Sequence, residues 1–280
     1  MNLKSLQHID ETDFVILDVE TTGLSPDTGD RVCEVAAVKL RGGAVVKSFG
    51  TLINPCRPIS SGAYQVNRIS PEMVADAPKF TDIAEEFASM LHDSVIGAYN
   101  TPFDLGFINS EFLLSGYPRL TNPTIDVLVM ARQLLPGLGK YPQENVARAA
   151  GIPFPVKHRA LEDVMVTAKL FLLFSSILKA YDLTQVPDLK RTDLLNHLTG
   201  RRLKIIEEAI SSGKNVWLRY LSPTQNNQFD GIVTPKDIIR EQSYKTASVH
   251  LFAYSHTEKT EKNFLVDRIL DLRLVENIRI

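Results

Sequence analysis

Asp18 and Glu20 stand two residues apart at the end of the apolar run Phe14-Val15-Ile16-Leu17. Side chains alternate along a strand, so both carboxylates point to one face. Neighbouring acids repel, and burying them unpaired is costly; a divalent cation removes both problems. Taken alone, such a pair is more often a solvated strand end. A third acid, Asp104, follows the run Val95-Ile96-Gly97-Ala98-Tyr99-Asn100 and opens a helical stretch. A carboxylate there can cap exposed amides, so capping alone would account for it. The last element is His158-Arg159-Ala160-Leu161-Glu162-Asp163. His158 and Asp163 are five residues apart, about 140° on a helix, and cannot share a helix face. If both serve one site, His158 sits on the loop and Asp163 on the helix after it. An Asp heading the apolar run 164–173 wants a partner.

These residues need elements to hold them. Residues 14–19 read as a buried strand, broken by Thr21-Thr22-Gly23. Residues 32–40 and 44–53 form two more strands around the hairpin signal Gly42-Gly43. Residues 81–92 make an amphipathic helix, with Asp82 and Glu85 as its capping box. A short strand covers 95–99, a helix 103–114 ends at Gly116, and a helix 125–135 stops at Pro136-Gly137. A short helix covers 142–150 and a long apolar one 159–181. This order of elements predicts an α/β fold with a mixed sheet. After a linker-like stretch with Pro187, a helix over 203–210 ends at Gly213. Strands over 216–221, 229–234, 247–255 and 263–269 then predict a small barrel or sandwich. The expected division is a first domain over 1–185, a linker over 186–199 and a second domain over 200–280.

The chain has 280 residues, 44% hydrophobic and 23% charged, which excludes disorder and fibrous repeats. No apolar run reaches the roughly 18 residues of a membrane span, and the first residues lack a secretory signal pattern. Cys33 and Cys56, 23 positions apart, make neither a close metal pair nor a disulfide scaffold. A cytoplasmic protein without membrane partners is expected. Residues 1–186 carry 16 basic and 21 acidic residues; residues 187–280 carry 15 and 12. That balance argues against a polyanion binder held by charge alone, and clustered metal ligands are one account of the acidic excess.

Taken together, the motifs resemble the DEDDh family of 3′→5′ exonucleases, in the branch of the proofreading epsilon subunits of bacterial DNA polymerase III. Phe14-Val15-Ile16-Leu17-Asp18-Val19-Glu20-Thr21-Thr22-Gly23-Leu24 is similar to the family's first motif. Asn100-Thr101-Pro102-Phe103-Asp104 is similar to the second, and His158 to Asp163 to the third. Thr124-Ile125-Asp126-Val127-Leu128 with Ala131-Arg132, and Val66-Asn67-Arg68-Ile69-Ser70, fit the segments between; the resemblance spans 13–178. It implies a ribonuclease H-like fold in which Asp18, Glu20, Asp104 and Asp163 bind two Mg²⁺, with Mn²⁺ able to substitute. One ion would acidify the attacking water and the other stabilise the leaving oxygen, with His158 taking the proton. Nucleoside 5′-monophosphates would leave from the 3′ end of DNA or RNA. Thr21 and Leu24 would contact the terminal nucleotide, Leu24 by packing on the base; Val66, Asn67, Asn100 and Phe103 match other pocket positions. The family often has His where this chain has Tyr99 and Asn67. Those departures bear on base preference rather than on hydrolysis. Asp126 is open between a helix cap, a partner of a ligand and a ligand, and Arg159 reads as solvated rather than phosphate-bound.

Residues 200–278 resemble a WYL domain, a small Sm-like (SH3-like) barrel. The similarity lies in Val216-Trp217-Leu218-Arg219-Tyr220, Val233-Thr234-Pro235 and Phe264-Leu265-Val266-Asp267-Arg268-Ile269. The name-giving triplet reads Val249-His250-Leu251, and an Arg expected near Gly231-Ile232 is missing. Arg219, Arg268 and His250 are expected in a basic groove that contacts nucleic acid or a ligand, with Tyr220 and Tyr254 for stacking; ordinary surface charges are the competing reading. Trp217 is expected in the core. The leading functional expectation is an exonuclease acting on nucleic acid with a single-stranded 3′ end, in DNA repair or RNA trimming. Its alternatives are a non-catalytic nucleic-acid-binding regulator on the same fold and a polymerase-associated proofreading subunit. Gln185-Val186-Pro187-Asp188-Leu189 is faintly similar to a sliding-clamp peptide.

Overall fold

Residues 7–154, 159–222, 228–242 and 247–276 are described by a computed structural model. They fall into two units: Met1–Val129 with Pro153–Leu172 and Thr184–Lys190, and Met130–Ile152 with Leu173–Leu183 and Arg191–Ile280.

The first unit is built on the strands β1 (Phe14–Thr21), β2 (Val32–Arg41), β3 (Ala44–Leu52), β4 (Val95–Ala98) and β5 (Thr124–Asp126), in the order β3-β2-β1-β4-β5. The first three are antiparallel, whereas β4 and β5 run parallel to β1. Gly42 and Gly43, at φ 55° and 82°, make the left-handed two-residue turn of the β2–β3 hairpin. Parallel strands need crossovers, supplied by α1 (Ser61–Asn67), α2 (Pro71–Val74) and α3 (Phe80–Leu91) before β4 and by α4 (Thr101–Leu114) before β5. The core joins Val15, Leu17 and Val19 to Val35 and Ala37 on β2 and to Phe80, Phe87, Phe107 and Phe112 on α3 and α4. This is the mixed sheet of a ribonuclease H-like fold.

Three local expectations are corrected here. Buried Phe80 joins α3, so Lys79 becomes its N-cap and Asp82 accepts the Lys79 amide at 2.9 Å instead of opening the helix. The apolar run at 125 begins as β5, parallel to β4, and α5 (Val127–Leu134) starts only after Asp126. The helix read at 203–210 belongs to α8 (Leu194–Ser212), with Leu194 and Leu198 buried on its first turns. Helices α6 (Gln143–Ala149) and α7 (Ala160–Ala180) lie where expected.

In the second unit, α8 ends on Gly213 at φ 63° and leads into β6 (Asn215–Leu221), β7 (Gln228–Gln242), β8 (Ala247–Ser255), β9 (Thr260–Leu265) and β10 (Ile269–Val275). The run expected as one strand over 263–269 is divided by a 3-10 turn at Val266–Arg268. All pairs are antiparallel, in the order β10-β6-β7-β8-β9. The last strand thus returns beside the first, and β7 carries a bulge between Pro235 and Asp237, which bends it. Val216, Leu218 and Tyr220 point into a core with Ile206, Ala209, Leu251 and Phe264. Trp217, of the opposite parity, is not in that core; the guanidinium carbons of Arg219 and Arg273 each lie 5.6 Å from its ring centroid. Among the described residues, no helix is long and apolar enough to cross a membrane.

Candidate active site

The acids converge because β1 outruns its parallel neighbour. Pairing of β1 with β4 covers only Phe14 to Ile16. Beyond it, the Val19 amide donates to Asp104 Oδ1 at 3.1 Å instead of to a strand. Asp104, 2% exposed, stands on the first turn of α4. Thr101 fixes that helix start: its hydroxyl accepts from the Ala98 amide at 3.0 Å and donates to the Ile125 carbonyl. Asn100, at φ 72°, makes the left-handed turn between β4 and α4.

Asp163 comes from α7, its amide donating to the Arg159 carbonyl at 3.0 Å, so it lies on the helix's first turn. Among the described residues, Asp18, Glu20 and Asp163 each bring an oxygen within 4.8 Å of the others. Burial pushes the Asp18 carboxyl well above its ordinary range, and the charges of Asp104, Glu20, Asp163 and Glu34 push further. Burial is also the main cause for Glu20, raised to about 7, with Asp163 and Glu34 adding to it and Asn67 and Arg159 opposing. Asp104 is likewise raised by burial, against the hydrogen bond from Val19. Such a cluster resists holding its own negative charge, and all its donors are hard carboxylate oxygens. That chemistry fits divalent cations of the magnesium type.

Glu34 is the residue that sequence reasoning missed. It stands opposite Glu20 in the β1–β2 register and is 6% exposed. Arg159 Nη2 donates to its Oε1 at 2.7 Å, Nε lies 3.1 and 3.2 Å from its two oxygens, and the Ala160 amide donates at 3.2 Å. Arg159 is therefore held by a carboxylate rather than solvated. The available signal was a Glu inside an otherwise apolar strand, Val32-Cys33-Glu34-Val35. Asp126 Oδ1 accepts the Leu128 and Val129 amides at 2.9 and 3.2 Å, so the cap among its open roles is realised. His158 lies outside the described residues.

The expected nucleotide contacts divide by exposure. Leu24 is 86% and Val66 62% exposed, and Phe103 is half-buried. Thr21 and Asn67 are buried; the Asn67 side-chain amide donates to the Thr21 carbonyl at 3.2 Å, and its oxygen accepts from the Ile69 amide. The loop carrying Leu24 folds over Asp30, where a Cβ on Gly23 would meet the Asp30 carboxylate at 2.3–2.5 Å. In the second unit, Arg219 pairs with Asp230 at 2.9 Å. Tyr220 and Arg268 are buried, Tyr220 edge-on to Phe264 at 5.2 Å, and His250 Nε2 lies 3.1 Å from Ser248 Oγ. These four side chains do not form one open face, since Arg219 and Tyr220 point to opposite sides of β6.

A ribonuclease H-like sheet with carboxylates gathered at the end of its central strand defines a class of metal-dependent phosphodiesterases. Residues 15–171 match the Exonuclease family, and the chain belongs to it. Residues 201–274 match the WYL domain. The DNA polymerase III PolC-type protein of Oceanobacillus iheyensis is 36% identical over 160 residues, covering 57% of this chain. The chain spans only 11% of that relative's length. The structure of Exonuclease X in complex with 5′-overhanging duplex DNA superposes with a TM-score of 0.51 at 27% identity, covering 63% of this chain and 98% of its own. E. coli Exonuclease I in complex with a dT13 oligonucleotide shares the fold at a TM-score of 0.53 and 18% identity, covering 95% of this chain and 64% of its own.

Proposed function

We propose that the chain is a metal-dependent 3′→5′ exonuclease that releases nucleoside 5′-monophosphates from single-stranded DNA or RNA ends. The carrying observation is the approach of Asp18, Glu20 and Asp163 oxygens within 4.8 Å of one another. In this reading Asp18, Glu20, Asp104 and Asp163 hold two Mg²⁺ or Mn²⁺ ions. When bound, the ions supply acidification of the attacking water and neutralisation of the leaving oxygen. His158, next to the anchored Arg159, takes the proton from water; its unperturbed pKa of about 6.5 suits a general base. Leu24, Val66, Asn100 and Phe103 bind the terminal nucleotide, with exposed Leu24 packing on its base, while buried Thr21 and Asn67 hold the pocket from beneath. We also propose that residues 1–185 form the exonuclease domain, 186–199 a connection and 200–280 a WYL domain that contributes nucleic-acid or ligand binding.

The test uses two 5′-labelled oligonucleotides of one sequence, one DNA and one RNA, incubated with Mg²⁺, Mn²⁺ or chelator. A metal-dependent ladder shortening from the 3′ end is expected, and the faster ladder names the substrate class. Asp18→Ala should abolish hydrolysis while leaving the fold intact, since it removes a ligand and relieves repulsion. Parental activity in Asp18→Ala would overturn the site assignment. No shortening by the parent under any metal would favour the binding-protein reading.

A further inference from the structure

Thr22 to Arg31 form a surface loop closed at its neck. The Thr22 amide donates to the Arg31 carbonyl at 2.9 Å, and the Arg31 amide donates to the Thr22 hydroxyl at 3.1 Å. Leu24 stands on this loop 86% exposed. A side chain so exposed has little packing of its own to fix its direction, so the backbone beneath must fix it. No apolar residue of the loop is buried. The loop closes instead on one carboxylate. Asp30 Oδ2 accepts the Ser25 amide at 3.2 Å and lies 3.3 Å from Thr28 Oγ1; Oδ1 lies 3.4 Å from the Thr22 hydroxyl. Arg57, from outside the loop, places Nη2 3.3 Å from the same Oδ1 and donates through Nη1 to the Gly29 carbonyl.

Gly23 supplies the second observation. Its φ lies outside the left-handed region, so the turn itself does not call for glycine. Space does: a Cβ would stand 2.3–2.5 Å from the three carboxylate atoms of Asp30. Leu24 therefore follows a residue whose backbone rests directly on that carboxylate.

We infer that Asp30, braced by Arg57, is a positioning residue for the terminal nucleotide: it holds the loop so that Leu24 stands out toward the base. This rests on the exonuclease reading. It assigns the rigidity of the base contact to a carboxylate outside the Asp18, Glu20 and Asp163 cluster.

The test is a double-mutant cycle on Asp30→Ala and Leu24→Ala. It is read as KM and kcat for a 5′-labelled oligonucleotide with Mn²⁺, and as Kd from fluorescence anisotropy in chelator. Each single variant should raise KM and Kd about tenfold, the scale of one leucine side chain's burial, with kcat changed far less. Because Asp30 acts through Leu24, the double variant should bind no more weakly than either single one. A loss of about a hundredfold in the double variant, the product of two independent effects, would overturn the inference. So would parental KM and Kd in Asp30→Ala. Half-saturating Mn²⁺ should stay parental in Asp30→Ala; a shift as large as that in KM would mean that β1 itself is disturbed, and would also overturn the role. Asp30→Asn, which keeps an acceptor for the Ser25 amide, should recover part of the loss. If Asp30→Ala melts, Arg57→Gln carries the same cycle from the surface: it should raise KM about threefold, and not at all once Leu24 is alanine. A parent that binds without cleaving sinks the exonuclease reading and leaves the anisotropy cycle to decide Asp30. A parent that neither cleaves nor binds overturns both.

Discussion

Glu34 accepts three guanidinium hydrogen bonds from Arg159 and the amide of Ala160, so the head of α7 hangs on one buried carboxylate. Arg159 in turn offers its carbonyl to the Asp163 amide, which ties Glu34 to a candidate metal ligand that it need not touch. Partners of ligands typically cost 10- to 100-fold in metal affinity or activity when removed. Glu34→Ala should therefore lower turnover by about that factor and raise the half-saturating Mn²⁺ concentration, with oligonucleotide KM unchanged. Glu34→Gln, which keeps an acceptor, should recover part of the loss. Steady-state rates across a Mn²⁺ series decide it, and a change confined to KM would contradict the positioning role. The same cluster sets a pH dependence. Folded Glu20 keeps its proton up to about pH 7, against 4.5 for an ordinary glutamate. Between those values the folded chain binds more protons than the unfolded one, so stability falls as pH rises. The contribution is complete below 4.5 and gone above 7. In chelator, the melting temperature should decline across that window, and Mg²⁺ should raise it far more above pH 7 than near pH 5. A Mg²⁺ effect independent of pH would show that Glu20 does not meet the ion.

At the scale of elements, short connections hold the acids in place. β1 extends past β4, leaving the Val19 amide for Asp104. Glu111 on α4 pairs with Arg31 at 2.7 Å and accepts the Val32 amide at 3.0 Å, fastening the same helix to the head of β2. Asp126 closes β5 and caps α5 through two amides. Asp126→Ala should cost about 1 kcal/mol in chemical denaturation, the usual worth of an N-cap. Metal-dependent turnover should be unchanged, and a large loss of turnover at full stability would make Asp126 part of the metal site.

At the scale of the molecule, the second unit is assembled from separated stretches of chain. Met130–Ile152 and Leu173–Leu183 belong with Arg191–Ile280. The Gln133 side chain donates to the Arg191 carbonyl at 2.9 Å, and buried Tyr181 lies 5.4 Å from the Arg202 guanidinium carbon. Arg268 reaches toward Gly137, within 3.4 Å of where a Cβ would stand. A chain ending at Lys190 should lose the cover of these stretches. Its melting temperature should fall, and limited proteolysis should cut first within 130–152. Equal melting of the truncated and full chains would mean that the first unit is self-sufficient.

Where the acids stand on their elements was legible in the sequence because the rules that place them are local, whereas their joint role as one metal site was implied only by the resemblance to the exonuclease motifs. Strand period two puts Asp18 and Glu20 on one face, and the position of Asp104 and Asp163 at helix starts follows from the residues around them. The hairpin at Gly42-Gly43 and the breaks at Gly116 and Gly213 were legible for the same reason, since the chain's own conformational limits set them. What required the tertiary structure were choices between partners far apart in sequence. Arg159 finds Glu34 across 125 positions, Trp217 faces guanidinia instead of a core, and residues near 125 become a strand because β4 offers an edge. Local backbone preferences are written residue by residue, whereas burial and pairing belong to surfaces that exist only after the chain has folded.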